Sequence, residues 1–203
     1  MEIANLISGP IQNNVYIVYD ESNECIIIDA AFGCCDALLQ FINDKNLILK
    51  YILLTHGHWD HIGDLAKLKR ATNVPIVIHR ADEYRLQIRE DMGFKIEPTH
   101  ADILLNGGET LQFGNTKFKV VSTPGHTEGG VCYIFEKEKI IFSGDTLFNG
   151  SIGRTDFDGG DFNTLIKSIK EKLFILSDDY CIYTGHGEPT SLKDEKLYNP
   201  YLT

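Results

Sequence analysis

Residues 50–64 read KYILLTHGHWDHIGD. The run Lys50–Leu54 is apolar enough for a buried strand, and it leads at once into His56, His58, Asp60 and His61, four ligand-type side chains within six residues. In an extended chain His56 and His58 point the same way, because side chains alternate. A helix predicted over Asp60–Arg70, with Ile62, Leu65, Ala66 and Leu68 on one side, would turn Asp60 and His61 toward a second point nearby. Imidazole and carboxylate together suit zinc, iron or manganese better than calcium.

Three more apolar runs end the same way. FKVVSTPG leads to His126, KIIFSG to Asp145 and YCIYTG to His186. Loops at strand ends are where a rigid sheet places functional groups. Seven ligands are too many for one tetrahedral ion but fit two ions that share a carboxylate. His79 and His100 have no partners in this pattern and read as ordinary histidines, whereas coincidence explains the other seven poorly. Trp59 fits either the rim of the site or packing against the following helix.

Working outward, Asn14–Tyr19 and Glu24–Asp29 are rich in β-branched and aromatic residues and flank a DESN turn. Gly33 leads into an amphipathic helix, CCDALLQFINDK. PIVIH predicts a strand and Ala81–Arg89 a helix. The second half opens with strands over Asp102–Leu105, Glu109–Phe113 and Thr116–Ser122, then a hairpin of Val131–Glu136 and Lys139–Ser143. Asp161–Leu176 predicts one amphipathic helix N-capped by Asp161, and Tyr180–Tyr183 a last strand. Two sheets packed face to face with helices outside would bury these patterns, giving a four-layer α/β sandwich in one domain, residues 1–203.

Composition narrows the function. A hydrophobic content of 43% against 24% charged residues fits a folded globular chain. The net charge of −10, with no basic run beyond Lys67–Arg70, argues against nucleic-acid and polybasic membrane binding. The N-terminus shows neither the basic nor the long apolar region of a secretory signal, and no run approaches the ~18 apolar residues of a membrane span. Five cysteines without CxxC spacing read as free thiols, so the expected location is the cytoplasm. Cys25, Cys132 and Cys181 read as small buried hydrophobes, and nothing near Cys34–Cys35 would lower a thiol pKa.

At HGHWDH, GHT, GDT and GHG, in that order across positions 56–186, the chain resembles the metallo-β-lactamase superfamily. The resemblance implies the αββα sandwich. Within it, GDTLFNGSIGRTDFDGGD (Gly144–Asp161) and YTGHGEPT are similar to the glyoxalase II group, the hydroxyacylglutathione hydrolases. By that resemblance His56, His58 and His126 would hold one divalent metal and Asp60, His61 and His186 the other, with Asp145 bridging; zinc is expected first, iron or manganese as alternatives. Asp145 and the lack of a secretory signal count against a β-lactamase. Only Gly187–Thr203 follows His186, so the helical domain that supplies much of the glutathione contact in two-domain members is not expected, and glutathione recognition is not carried over.

The implied reaction is hydrolysis of a small-molecule thioester of the S-lactoylglutathione kind by hydroxide generated at the two ions, with Asp60 a ligand that can also orient the hydroxide. Arg154 either binds a substrate carboxylate or, in the favoured reading, pairs with Asp156 and braces the loop behind Asp145. Tyr198 and Tyr201 are expected to cover apolar surface rather than close over the site. The nearest alternative is a persulfide dioxygenase with one iron on His56, His126 and Asp145. A lactonase stands behind it, and a non-enzymatic binding module predicts ligand losses that the sequence does not have. The pattern leaves oligomeric state open.

Overall fold

A computed structural model describes the whole chain, Met1–Thr203. The first half lays down β1 (Glu2–Ser8), β2 (Asn13–Tyr19), β3 (Glu24–Ile28), α1 (Cys35–Asp44), β4 (Ile48–Leu53), α2 (Leu65–Thr72) and β5 (Ile76–His79). A 3-10 helix over Arg80–Gln87 and a short hairpin, β6 (Glu90–Asp91) with β7 (Phe94–Lys95), precede β8 (Ile103–Leu105). The second half contains β9 (Thr110–Phe113), β10 (Thr116–Ser122), β11 (Val131–Phe135), β12 (Ile140–Gly144), the small pair β13 (Leu147–Phe148) and β14 (Ser151–Ile152), α3 (Phe162–Ser168), β15 (Cys181–Thr184), β16 (Thr190–Ser191) and α4 (Leu192–Tyr198).

These strands form two six-stranded sheets, ordered β1-β2-β3-β4-β5-β8 and β16-β15-β12-β11-β10-β9. The period of two in each strand decides which layer a side chain joins. Ile26 and Ile28 of β3 meet Phe118, Tyr133, Phe135 and Phe142 of the opposite sheet. Their neighbours Cys25 and Ile27 face the other way, onto Leu38 of α1 and Leu65 and Leu68 of α2. In the second sheet Cys132, Ile134, Ile141 and Ile182 pack under Leu165 of α3 and Leu192 of α4. The result is the expected α/β/β/α stack. Each large aromatic of the middle layer is worth about 3–5 kcal/mol against alanine.

Four boundaries differ from the sequence-based expectations. The strand β1 is not evident from periodicity; it is an edge strand whose exposed Ile7 breaks the alternation, and it is set by pairing with β2 from Glu2↔Tyr19 to Ser8↔Asn13. The helix predicted from Asp60 begins only at Leu65. Ala30 N–H donates to His61 O and Asp64 N–H to Ala30 O, so this backbone is tied to the segment that follows β3 and makes only short turns of its own before Leu65. The helix predicted over Ala81–Arg89 is wound as a 3-10 helix, capped where His79 Nδ1 accepts from Ala81 N–H. α3 is N-capped by Asp161 as expected but widens to π spacing over Ile169–Leu173.

No helix is long and apolar enough to cross a membrane. All five cysteines are free, and burial pushes the Cys25 thiol up to about 12 and Cys34 upward as well. Tyr198 and Tyr201 are 73% and 50% exposed, which corrects the expectation that they cover apolar surface; Leu192 and Leu202 do so instead.

Candidate metal centre

The C-terminal ends of β4, β10, β12 and β15 open at one edge of the sandwich, where backbone bonds tie the strand ends together, two of them across the two sheets and one within the second. Val131 N–H donates to Thr55 O, Asn14 N–H to Gly185 O and Gly185 N–H to Gly144 O. This stitching converts four loops, far apart in sequence, into one rim.

All seven predicted ligands lie on that rim. His56, His58 and His126 bring donor atoms together as one group, and Asp60, His61 and His186 as another. Asp145 stands between them: its Oδ2 is 3.6 Å from His126 Nε2 and 3.5 Å from His186 Nε2, and its Oδ1 is 3.3 Å from His61 Nε2. Asp60 Oδ2 lies 3.2 Å from His61 Nε2 and 3.3 Å from His186 Nε2. Except for Asp145 and His186, the ligands are buried. Gly185 makes this approach feasible, because a Cβ there would sit 2.1 Å from Asp145 Oδ1.

The far nitrogens of the rings fix which lone pairs face inward. His126 Nδ1 donates to the Arg154 carbonyl at 2.7 Å, and a carbonyl can only accept, so its Nε2 is a lone pair. Thr55 Oγ1 donates to Asp29 Oδ2 and therefore accepts from His56 Nδ1 at 3.1 Å, leaving His56 Nε2 as a lone pair too. Those two nitrogens lie 3.2 Å apart, with His58 Nδ1 2.8 Å from His126 Nε2. The lone pairs of His56 and His126 repel at this separation; a proton on His58 Nδ1 relieves only the His126 side, whereas a cation among the three rings satisfies all of them. In the second group His61 Nδ1 faces Asp29 Oδ2 at 2.8 Å, which turns its Nε2 toward Asp60 and Asp145. The donor set and its polarity fit two divalent cations.

Electrostatics agrees. Burial, reinforced by His61, His126 and His58, holds His56 well below the ordinary imidazole range, and burial with His126 and Arg85 brings His58 down to about 3. Burial also opposes a charge on His61, but Asp60, Asp145 and Asp29 outweigh it and raise its pKa. His186 is raised against burial by Asp60 and Asp145. Burial pushes Asp145 upward, yet His61 and His126 hold it at about 2, and His61 and His186 keep Asp60 below the carboxylate range. Without metal, protons on the second group stand in for a cation.

Three supporting residues carry no sequence motif of their own. Asp29, directly after β3, has φ of 65° and ties His61 to Thr55. Asn13, fully buried, donates from Nδ2 to Asp60 Oδ2 at 2.5 Å. Asp82, also fully buried, accepts from Gly57 N–H, Thr127 Oγ1 and Gly129 N–H, so one carboxylate locks the His58 loop to the His126 loop. The only signal for Asp29 was an acidic residue ending an apolar strand, the same signal that marked Asp145.

Arg154 pairs in bidentate fashion with Asp156 at 2.7 Å and lies over the Phe157 ring. Its guanidinium is exposed; the contact that reaches the centre is its backbone carbonyl, on His126 rather than behind Asp145. Trp59 is buried in the α2-side core, and stacks on Phe94 with centroids 4.5 Å apart. His79 and His100 stand outside the cluster. A cleft of about 450 Å³ opens beside His58, between the β6–β7 hairpin and Asp156–Asp158.

The Metallo-beta-lactamase superfamily profile matches residues 8–186. The chain is 37% identical over 198 residues to hydroxyacylglutathione hydrolase GloC of Haemophilus influenzae, covering 94% of this chain and 93% of that one. Among solved structures it is similar to the BLEG-1 B3 metallo-beta-lactamase, with a TM-score of 0.94 at 36% identity over the full length of both chains. It is also similar to TTHA1623 in a di-iron-bound form, with a TM-score of 0.87 at 34% identity, covering 98% of this chain and all of that one.

Proposed function

The chain belongs to the metallo-beta-lactamase superfamily, and from that premise we propose that it is a metal-dependent hydrolase cleaving thioesters of the S-lactoylglutathione kind. The observation that carries the reading is the Asp145 carboxylate, set between His126 and His186 where it can serve two ions at once. A GloC relative at 37% identity supports the thioester. A di-iron neighbour supports two ions, with zinc or manganese as the other candidates for the same ligands.

His56, His58 and His126 would hold one cation, Asp60, His61 and His186 the other, and Asp145 both. When bound, the pair supplies a water acidic enough to ionise near neutral pH and a Lewis acid for the acyl carbonyl. The protein contributes the rest. Asn13 holds Asp60 Oδ2 in place, so this carboxylate can orient the attacking water. A thiol leaves as a thiolate with a pKa of about 8.5, so cleavage needs no general acid on the leaving-group side. An amine leaving group would need one.

Metal analysis of the purified protein, alongside anaerobic hydrolysis of a small thioester panel, tests this. Two metals per chain and thioester cleavage are expected. One iron per chain with oxygen uptake on a persulfide would replace the reading with a dioxygenase. Opening of β-lactams without thioester cleavage would replace it with a lactamase, the activity named for the BLEG-1 neighbour.

A further inference from the structure

On the thioesterase reading, the cleft beside His58 is open to the thiol half of the substrate, and its charge is lopsided. Glu90, Asp91, Asp156 and Asp158 line it, with Arg85 as the only cation among the lining residues. That guanidinium is already committed: one nitrogen donates to Glu128 Oε2 at 2.8 Å and to the Asp158 carbonyl at 2.7 Å, and Nε lies 3.6 Å from Asp82 Oδ1. Its side chain is 7% exposed. Arg154 is neutralised by Asp156, and Arg89, beside the hairpin, and Lys95, on β7 opposite Glu90, do not line the cleft. Two independent features mark the cleft as a ligand site. His58, one of the buried residues of the metal cluster, lines it, and the His58 Nε2 has no partner within the protein. Phe157, set edge-on to His58 with centroids 5.8 Å apart, lines the same cleft and already carries a cation on its ring.

We propose that this cleft selects thioesters whose thiol half is cationic or neutral over those whose thiol half carries carboxylates. A glutathionyl group would bring two carboxylates to Glu90, Asp91 and Asp158, with no uncommitted cation among the lining residues to receive them. A thiol bearing an ammonium would meet complementary charge at Glu90 and Asp91. The hairpin tip, with Met92 61% exposed, adds apolar contact for the carbon chain.

The test compares acetyl esters of thiocholine, N-acetylcysteamine and glutathione with the metal-loaded protein, after subtraction of spontaneous hydrolysis. Expected kcat/KM falls in that order, with about tenfold or more between the ends at low salt. The spread should shrink in 0.5 M salt, where screening acts over a few ångströms. The double variant E90Q/D91N, on an exposed hairpin, should lower the thiocholine-to-glutathione ratio several-fold. A glutathione ester processed as well as or better than the thiocholine ester overturns the charge selection and leaves the thioesterase standing. So does a ratio that neither salt nor E90Q/D91N alters. Failure of all three esters while a β-lactam is opened overturns both.

Discussion

Asp29 Oδ2 lies 2.8 Å from His61 Nδ1 and accepts the Thr55 hydroxyl at the same distance, so one buried oxygen orients His61 directly and His56 through Thr55. An Asp29→Asn variant keeps the volume but must turn its NH2 either on the Thr55 N–H or on the Thr55 hydroxyl and His61, so it cannot accept all three contacts. Metal affinity or kcat should fall about 10- to 100-fold. Metal titration of the variant checks this; unchanged stoichiometry and rate would remove Asp29 from the design.

The pH dependence of the metal-free fold follows from the coupled second group. His61 and His186 have raised pKa values, so their stabilising contribution is fully present below the unfolded histidine value of about 6.5 and is lost as pH rises through their folded values. Asp60 and Asp145 are depressed, so theirs is present above about 3.9 and lost as pH falls through the folded values. Metal-free protein should therefore be most stable in the mildly acidic to neutral window. Divalent metal should raise Tm more as pH increases, because it displaces the same protons. Thermal melts at pH 6 and 8 with and without zinc decide it, and a metal-induced shift larger at pH 6 contradicts it.

Gly185→Ala places a methyl 2.1 Å from Asp145 Oδ1 and 3.0 Å from His61 Cε1. The backbone there is tied to Gly144 and Asn14, so the carboxylate must give way. A loss of about 100-fold in kcat is expected, of the size that a ~1 Å misplacement causes, with less than the full metal complement bound. Full activity would show that Asp145 need not hold its place.

Arg154→Ala removes an exposed, internally paired guanidinium but keeps the carbonyl that orients His126. Metal content should be unchanged and kcat/KM for anionic esters should fall less than about threefold, within the weak range of exposed ion pairs. A selective rise in KM for glutathione esters would instead assign Arg154 to substrate carboxylates.

Asp82→Ala leaves Gly57 N–H, Thr127 Oγ1 and Gly129 N–H without their acceptor in a fully buried site. Each orphaned group costs about 1–3 kcal/mol, so a loss of roughly 3 kcal/mol or more is expected in urea unfolding. A loss below about 1 kcal/mol would mean that the two loops hold without it.

The amino-acid sequence by itself determined the layers and the chemistry. Alternating apolar runs such as ECIII and VCYIF can bury both faces only between a sheet and a helix, and ligand-type residues at four strand ends are legible because side-chain chemistry is local. Asp29, Asn13 and Asp82 became visible only in three dimensions, since each acts on groups 25 to 47 positions away. The same holds for the late start of α2, which periodicity places at Asp60 but bonds to the Ala30 backbone, after β3, delay to Leu65. Tertiary structure also decided the charge of the cleft: Arg85 counts as a free cation in composition, and only folding shows it spent on Glu128 and the Asp158 carbonyl. Hydrogen bonds and charge pairing depend on distances through space, and those exist only once the two sheets have closed on each other.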